Sequence, residues 1–152
     1  MGKIQQALEL AVQLCKHFEG YSDKPYICPA GYPTIGYGTV YKPDGTKVTM
    51  SDSPIDKETA EAWLRQELAN NYMRGVLRAS PTLINNHKLL AAITDFAYNL
   101  GVARYRASTL RRRVDEGDLE GCAFELRKWV NGGGRRLNGL VRRREAEIAL
   151  FL

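Results

Sequence analysis

The stretch Glu19-Gly20-Tyr21-Ser22-Asp23-Lys24-Pro25-Tyr26-Ile27-Cys28-Pro29-Ala30-Gly31-Tyr32-Pro33-Thr34-Ile35-Gly36-Tyr37-Gly38-Thr39 decides how this chain is read. A carboxyl, a thiol and a hydroxyl follow one another at fixed spacing: eight residues separate Glu19 from Cys28, and five separate Cys28 from Thr34. The run closes on Thr34-Ile35-Gly36-Tyr37-Gly38, a glycine-patterned turn. Prolines at 25, 29 and 33 and glycines at 31, 36 and 38 punctuate short β-prone pieces. Pro43-Asp44-Gly45 adds a hairpin signal, so residues from about 20 to about 52 read as a small irregular sheet.

On either side of this stretch the texture is helical. Ile4, Leu8, Ala11, Val12 and Cys15 recur at helical spacing, which predicts a helix over 3–18. Gly20 is placed to stop it in a left-handed conformation. Downstream, Ser53-Pro54-Ile55-Asp56 reads as a helix start, with a capping serine, a proline in the first turn and a carboxylate at the capping-box position. That helix is expected to run from about 54 to about 79, long enough to act as a strut between two lobes, until Ser80-Pro81 ends it. A helix from about Asn86 to Leu100 follows, with Leu89, Leu90, Ile93, Phe96 and Ala97 on one broad face and Gly101 as its stop. Shorter helices are expected from Ser108 to Glu116 and from Asp118 to Val130. Asn131-Gly132-Gly133-Gly134 reads as a flexible loop, and a last helix runs from about Leu140 to Leu152. The predicted fold is a mainly helical α+β domain spanning 1–152. A small β lobe is inserted between the first helix and a larger helical lobe of about 80–152. The cleft between the lobes is the natural place for an extended ligand.

The bulk composition narrows the function. The chain has 152 residues, enough for a real core, and its apolar fraction of 44% is that of a globular protein, not a disordered one. No apolar run approaches the roughly 20 residues that cross a bilayer. Met1-Gly2-Lys3-Ile4-Gln5-Gln6 lacks the apolar core of a secretory signal, so the protein is expected to accumulate in a cytoplasm. Cys15, Cys28 and Cys122 stand at no metal-like spacing, and His17 and His87 are far apart in sequence, so neither a metal nor a cofactor is expected. Cys15 and Cys122 fall in helical apolar patterns and read as buried thiols. The net charge of +5 is carried entirely by residues 101–152, in Arg111-Arg112-Arg113, Arg135-Arg136 and Arg142-Arg143-Arg144. These runs read either as a solvated helical surface or as a patch that attracts a polyanion.

The spacing of Glu19, Cys28 and Thr34, closed by Thr-Ile-Gly-Tyr-Gly, resembles the active-site signature of phage-type lysozymes, the muramidases that phages use as endolysins. In that family a glutamate is followed by an aspartate or a cysteine and then by a threonine. Further likeness covers nearly the whole chain in order: Phe96-Ala97-Tyr98-Asn99-Leu100-Gly101, Ser108-Thr109-Leu110, Trp129-Val130-Asn131-Gly132-Gly133, and the C-terminal pattern Gly-Leu-x-x-Arg-Arg-x-x-Glu beginning at Gly139. The resemblance implies a lysozyme-like fold and hydrolysis of the β-1,4 bond between N-acetylmuramic acid and N-acetylglucosamine in peptidoglycan, with an inverting outcome. Glu19 would be the general acid. At the C-terminal end of a helix the macrodipole disfavours its negative charge, and partial burial would act the same way. A thiol at position 28 is mostly neutral near pH 7, with an ordinary pKa near ~8.5. Cys28 would position water or, if deprotonated, attack; as a structural residue it would only fill the β lobe. The Thr34 hydroxyl would help to orient that water. Gly36 and Gly38 read as scaffold. Thr39 stands where the family often has histidine, which removes one possible ion pair. Tyr26, Tyr32 and Asn99 are candidate sugar contacts, while Trp129 reads as core more than as a sugar platform.

The same resemblance implies partners and a site of action. The protein would meet glycan strands of the wall, with anionic envelope as a further attraction for its basic third. It would wait in the host cytoplasm as a monomer until a holin breaches the membrane, and its size suits the thin wall of a Gram-negative host. Three rival readings remain open at this level: a lytic transglycosylase, which closes an anhydro ring without water; a non-catalytic basic protein on envelope or nucleic acid, although no nucleic-acid motif accompanies the arginines; and a muramidase used at infection or against competing bacteria.

Overall fold

Helix α1, Lys3–Glu19, is one residue longer than its periodicity predicts and buries Ala7, Leu8, Ala11, Val12 and Cys15. In this computed structural model, which describes residues 1–152, that face packs chiefly on helix α4, His87–Leu100, the most deeply buried element. Asn86 caps α4 by accepting the Leu89 N–H at 3.0 Å. Nine consecutive residues of α4, Leu89 to Ala97, are buried, so it is apolar nearly all round and forms the axis of the helical lobe.

The chain leaves α1 through Gly20 and enters the β lobe. Strands β1, Ser22–Ile27, and β2, Pro33–Gly36, pair antiparallel with Tyr26 opposite Thr34 and Ile27 opposite Pro33. A single bridge, Tyr41 to Lys47, closes the expected hairpin around Asp44-Gly45, with Gly45 at φ 87°. The lobe is small and proline-punctuated, as the sequence predicts.

The strut differs from expectation in two ways. It starts at Lys57, with Asp56 as the cap accepting the Thr59 N–H at 2.8 Å. The Ser53-Pro54-Ile55 segment is occupied elsewhere: the Ile55 N–H donates to the Asp23 carbonyl at 2.9 Å, and the Ile55 carbonyl accepts from the Tyr21 hydroxyl. These bonds fasten the start of the strut to β1 and keep that segment extended. The strut is also not one α-helix. Helix α2, Lys57–Glu67, passes through a π-helical turn, Leu68–Met73, into α3, Arg74–Ala79.

A 3₁₀ turn, Pro81–Asn85, leads to α4, and the six-residue helix α5, Val102–Ala107, follows it. Both are too short for periodicity to reveal. Helix α6, Thr109–Glu116, is capped by Ser108 as expected. Helix α7, Leu119–Leu126, ends earlier than Val130, because the Val130 carbonyl is drawn into a bond with the Leu137 N–H at 2.9 Å. The expected flexible loop is instead a tight hairpin: β3, Asn131–Gly132, pairs with β4, Arg135–Arg136, across Gly133 and Gly134 at φ 58° and 77°. Two consecutive positive φ values are what a two-residue hairpin turn requires. Helix α8, Asn138–Phe151, then returns across α4.

Two of the C-terminal arginines are not on the surface. Arg143 and Arg144 are 4% and 0% exposed, held in the seam between α4 and α8 with Asp95 and Glu147. Several others are paired on the surface: Arg111 with Asp115, Arg113 with Glu116 and Arg127 with Glu145. These pairs leave the net positive excess of the basic third in place, with Arg104, Arg106, Arg112, Arg135, Arg136 and Arg142 outside any ion pair. Cys15 and Cys122 are buried free thiols, and Cys15 is more than filler, since its Sγ donates to Asp95 Oδ1 at 3.1 Å.

Candidate active site

Glu19 is the last residue of α1. Gly20 follows at φ 73°, ψ 166°, which is a positive φ but an extended ψ, so the chain runs straight from the helix into β1 without a left-handed turn. Glu19, Gly20, Tyr21, Ser22 and Tyr26 line an open trough of about 290 Å³ at the lobe junction. Glu19 Oε2 accepts from Arg143 Nη1 at 2.6 Å. Its other oxygen faces Gly38, where a Cβ would stand 2.9 Å from Oε1 and 3.2 Å from the Tyr98 hydroxyl. The glycine is thus required by close approach as well as by its φ of 84°.

Arg143 is itself fixed. Its Nε and Nη2 form a bidentate pair with Asp95, both at 2.9 Å, and the Phe18 ring lies 5.6 Å from the guanidinium carbon. Asp95 is completely buried and also accepts a hydrogen bond from the Cys15 thiol. Next to it Glu147, equally buried, contacts Arg144, whose Nη2 also donates to Asn99 Oδ1 at 2.8 Å. Burial, and then a hydrogen bond to Asp95 and the Asp95 charge, push the Glu147 carboxyl well above its usual range. Against the cost of burial, bonds from Glu147 and Arg143 hold Asp95 below its own. With Glu147 protonated, Asp95 is left as the carboxylate of the buried cluster, and Arg143 pairs it through two bonds.

Cys28 sits in the turn after β1, where its N–H donates to the Tyr32 carbonyl and its carbonyl accepts from Gly31. It is half-buried, within hydrogen-bond reach of the Thr34 hydroxyl. That bond, with backbone groups of the turn, holds the thiol below its ordinary pKa; no cation is needed. Thr34 has one proton and two claimants for it. It donates to the Tyr32 carbonyl at 2.9 Å, and rotation toward Cys28 would support the thiolate. Thr34 is only 2% exposed, and neither it nor Cys28 is among the residues that line the trough at Glu19. Tyr26 links the two halves. It lines the trough with Glu19, and burial, then the charges of Glu19 and Cys28, raise its phenol pKa.

The structure thus brings Glu19 and Tyr26 to one opening and joins Cys28 to Thr34. Tyr32 contributes its carbonyl to the Cys28 turn, while its ring is among the exposed aromatics outside the trough lining. The Asn99 oxygen is committed to Arg144. Trp129 is core, packed edge-on against Phe96 at 5.5 Å. Thr39 is buried with no partner for its hydroxyl, a polar atom left over where a larger side chain could form a pair.

A family profile described as phage lysozyme matches residues 16–147, which include every side chain of this arrangement except Cys15. The chain belongs to the phage lysozyme family. It is 34% identical over 147 residues to the endolysin of Acyrthosiphon pisum secondary endosymbiont phage 1, covering 94% of this chain and 95% of the relative. It is also 34% identical over 146 residues to the endolysin of Bacillus phage B103, of which it spans 53%. Among solved structures, the endolysin from Escherichia coli O157:H7 phage FAHEc1 superposes with a TM-score of 0.80 at 32% identity, covering 94% of this chain and 90% of the other.

As a phage lysozyme, the chain shows where sequence reading stopped short. Asp95 lies inside an apolar helical pattern and gives no local sign of its role. Arg143 was visible as a member of a basic run and of the Gly-Leu-x-x-Arg-Arg-x-x-Glu pattern, with no role in the site assigned to it. The signal that could have found both is the Arg-Arg-x-x-Glu pattern of α8, since two arginines and a glutamate on a helix with an apolar partner face must be buried together or not at all.

Proposed function

We propose that the chain, folding as one lysozyme-like domain over 1–152, is an endolysin that hydrolyses the β-1,4 bond between N-acetylmuramic acid and N-acetylglucosamine. The observation that carries this reading is the Glu19 carboxyl, fixed by Arg143 and confined by Gly38 at the edge of a trough. Hydrolysis of a glycosidic bond needs one group to protonate the leaving oxygen and another to deliver water. Glu19 serves as the acid. Cys28, backed by Thr34, orients the attacking water from the β lobe, with the buried hydroxyl setting the direction of the thiol. Tyr26 and the tyrosine-lined rim contact the sugar.

Family membership and the endolysin relatives support peptidoglycan as the substrate. No helix is long and apolar enough to cross a membrane. Membrane breach is assigned to a separate holin. The protein would work as a monomer on wall strands. The test is Glu19→Gln: the account expects loss of clearing of purified peptidoglycan by at least about 10³-fold with an unchanged melting temperature. Retained clearing would remove Glu19 from the acid role.

A further inference from the structure

Glu67 stands at the entry of the π-helical turn Leu68–Met73, and Tyr72 lies inside it. Residues five apart on an α-helix point about 140° away from one another. The i to i+5 bonding of a π turn brings such a pair round toward one side. Both meet Tyr98 of α4. The Tyr72 ring packs edge-on against the Tyr98 ring at 5.0 Å, and the Glu67 carboxyl lies within hydrogen-bond reach of the Tyr98 hydroxyl. That hydroxyl has a single proton, which it donates to the Tyr37 carbonyl at 2.8 Å.

The Tyr37 carbonyl and the Gly38 N–H belong to one peptide, and Gly38 is the residue that confines Glu19 Oε1. Arg143 fixes the other oxygen of the acid. One bond from the helical lobe therefore sets where the β lobe stands against Glu19. The groups around Glu67 and Tyr98 leave that bond to these two residues. Tyr72 faces them from the strut, Glu19 and Cys15 from α1, and Tyr37 from the β lobe. Of the cations, Lys42 beside Tyr41 in the hairpin is paired with Asp52, Lys16 over the Tyr37 ring with Glu61, and Arg143 with Glu19 and Asp95. Burial, opposed by the bond to Tyr98, pushes the Glu67 carboxyl up to about 7, and the Glu19 charge adds to the rise. Protonated, Glu67 can donate to the Tyr98 oxygen and leave the phenol proton on Tyr37. Ionised, it has no proton to give and accepts more strongly than a carbonyl, so it draws the phenol proton to itself and frees the Tyr37 peptide.

We propose that Tyr98 is a positioning residue for the Glu19 acid, holding the Tyr37–Gly38 peptide against it, and that Glu67 releases this hold when it ionises. The proposal rests on the acid role assigned to Glu19 above. It adds a second carboxyl, outside the trough, to the control of activity by pH. Glu67 borders the open pocket between the strut and the hairpin at 41–47, so it exchanges its proton with solvent there.

The experiment follows the Gly38 amide by ¹H–¹⁵N NMR across the neutral pH range, in the full chain as Glu19→Gln, which removes the adjoining carboxyl as a source of titration. The Gly38 shift should step with a midpoint of about 7. The step should vanish when Glu67→Gln or Tyr98→Phe is added. In otherwise unaltered protein, Tyr98→Phe should lower kcat about tenfold while KM stays within about twofold. The ratio of the Glu67→Gln kcat to the unaltered kcat should rise about fivefold from about pH 6 to about pH 8, because the amide can donate to the Tyr98 oxygen at both. If Tyr98→Phe does not fold, the two Glu67→Gln arms still decide. A Gly38 step that survives Glu67→Gln, the absence of any step, or a flat kcat ratio overturns the proposal and leaves the muramidase reading standing. A Gly38 step lost in Glu67→Gln, in a protein whose unaltered form degrades no glycan, supports the link from Glu67 through Tyr98 to Gly38 and overturns the muramidase reading.

Discussion

Arg143 Nη1 stands 2.6 Å from Glu19 Oε2, and the same guanidinium is clamped by the wholly buried Asp95. The proposed acid is therefore not a free side chain at a helix end. It is the outer member of a chain of contacts that runs from Cys15 and Asp95 through Arg143 to the trough. Position along the sequence places Glu19 at the C-terminus of α1; the cation that answers the helix dipole there comes from 124 residues away.

Arg143→Lys should be severe despite keeping the charge. A single ammonium cannot hold Asp95 in two bonds and Glu19 in a third. The expected outcome is a loss of wall-clearing rate of about 100-fold, through misplacement of Glu19. Removing the side chain altogether, as Arg143→Ala, should cost about 3–5 kcal/mol in urea unfolding, since it strands a buried carboxylate. Steady-state lysis and equilibrium unfolding of both variants check this.

Gly38→Ala tests the confinement of Glu19 from the other side. The added Cβ would meet Glu19 Oε1 at 2.9 Å in a backbone conformation that L side chains rarely adopt. Activity should fall by at least about tenfold, with a stability loss of about 1–2 kcal/mol. Gly45→Ala, also at positive φ but with open space around it, should show the stability loss without the loss of activity.

The three thiols should separate cleanly by reactivity. Cys28 is half-buried with its pKa held down by Thr34 and the turn, whereas burial raises the pKa of Cys15 and Cys122. Iodoacetamide at pH 8 is expected to label Cys28 alone and to stop lysis, as read by peptide mass mapping. Cys28→Ser should keep its rate within about tenfold and become insensitive to the reagent; a loss of about 10³-fold would show that the thiolate itself attacks.

Glu67 gives a pH dependence whose sign is fixed. Its carboxyl is pushed from the usual 4.5 up to about 7 by burial, so the protonated form is the one the fold favours. Its contribution to stability is complete below about pH 4.5 and is lost as pH rises through about 7. The native protein should lose about 1–3 kcal/mol of unfolding free energy between pH 5 and pH 8 from this group, the upper figure being reduced by solvent on its open side. Glu67→Gln should abolish that part of the slope, measured by urea unfolding at the two pH values.

What could be read from sequence follows from which interactions are local. The helices α1, α4 and α6 and the β lobe announce themselves through periodicity, caps and proline spacing, because each of those signals acts within a few residues. The start of the strut was misplaced because Ile55 is held by bonds with Asp23 and Tyr21, the latter 34 residues earlier. The π turn at Leu68–Met73 left no periodic trace, and the hairpin at Gly133-Gly134 read as flexibility since glycine signals freedom and tight turning alike. In the site, Glu19, Cys28 and Thr34 were legible as a spaced set. Arg143 and Asp95 were not, because ion pairs between distant helices are set by tertiary packing.

The most direct test of the central claim is the chemistry of the new chain ends. Peptidoglycan digested by the protein in ¹⁸O-water and analysed by mass spectrometry should give muramic acid residues with reducing ends that carry one labelled oxygen. Unlabelled 1,6-anhydro ends would contradict hydrolysis by water held at Cys28 and Thr34.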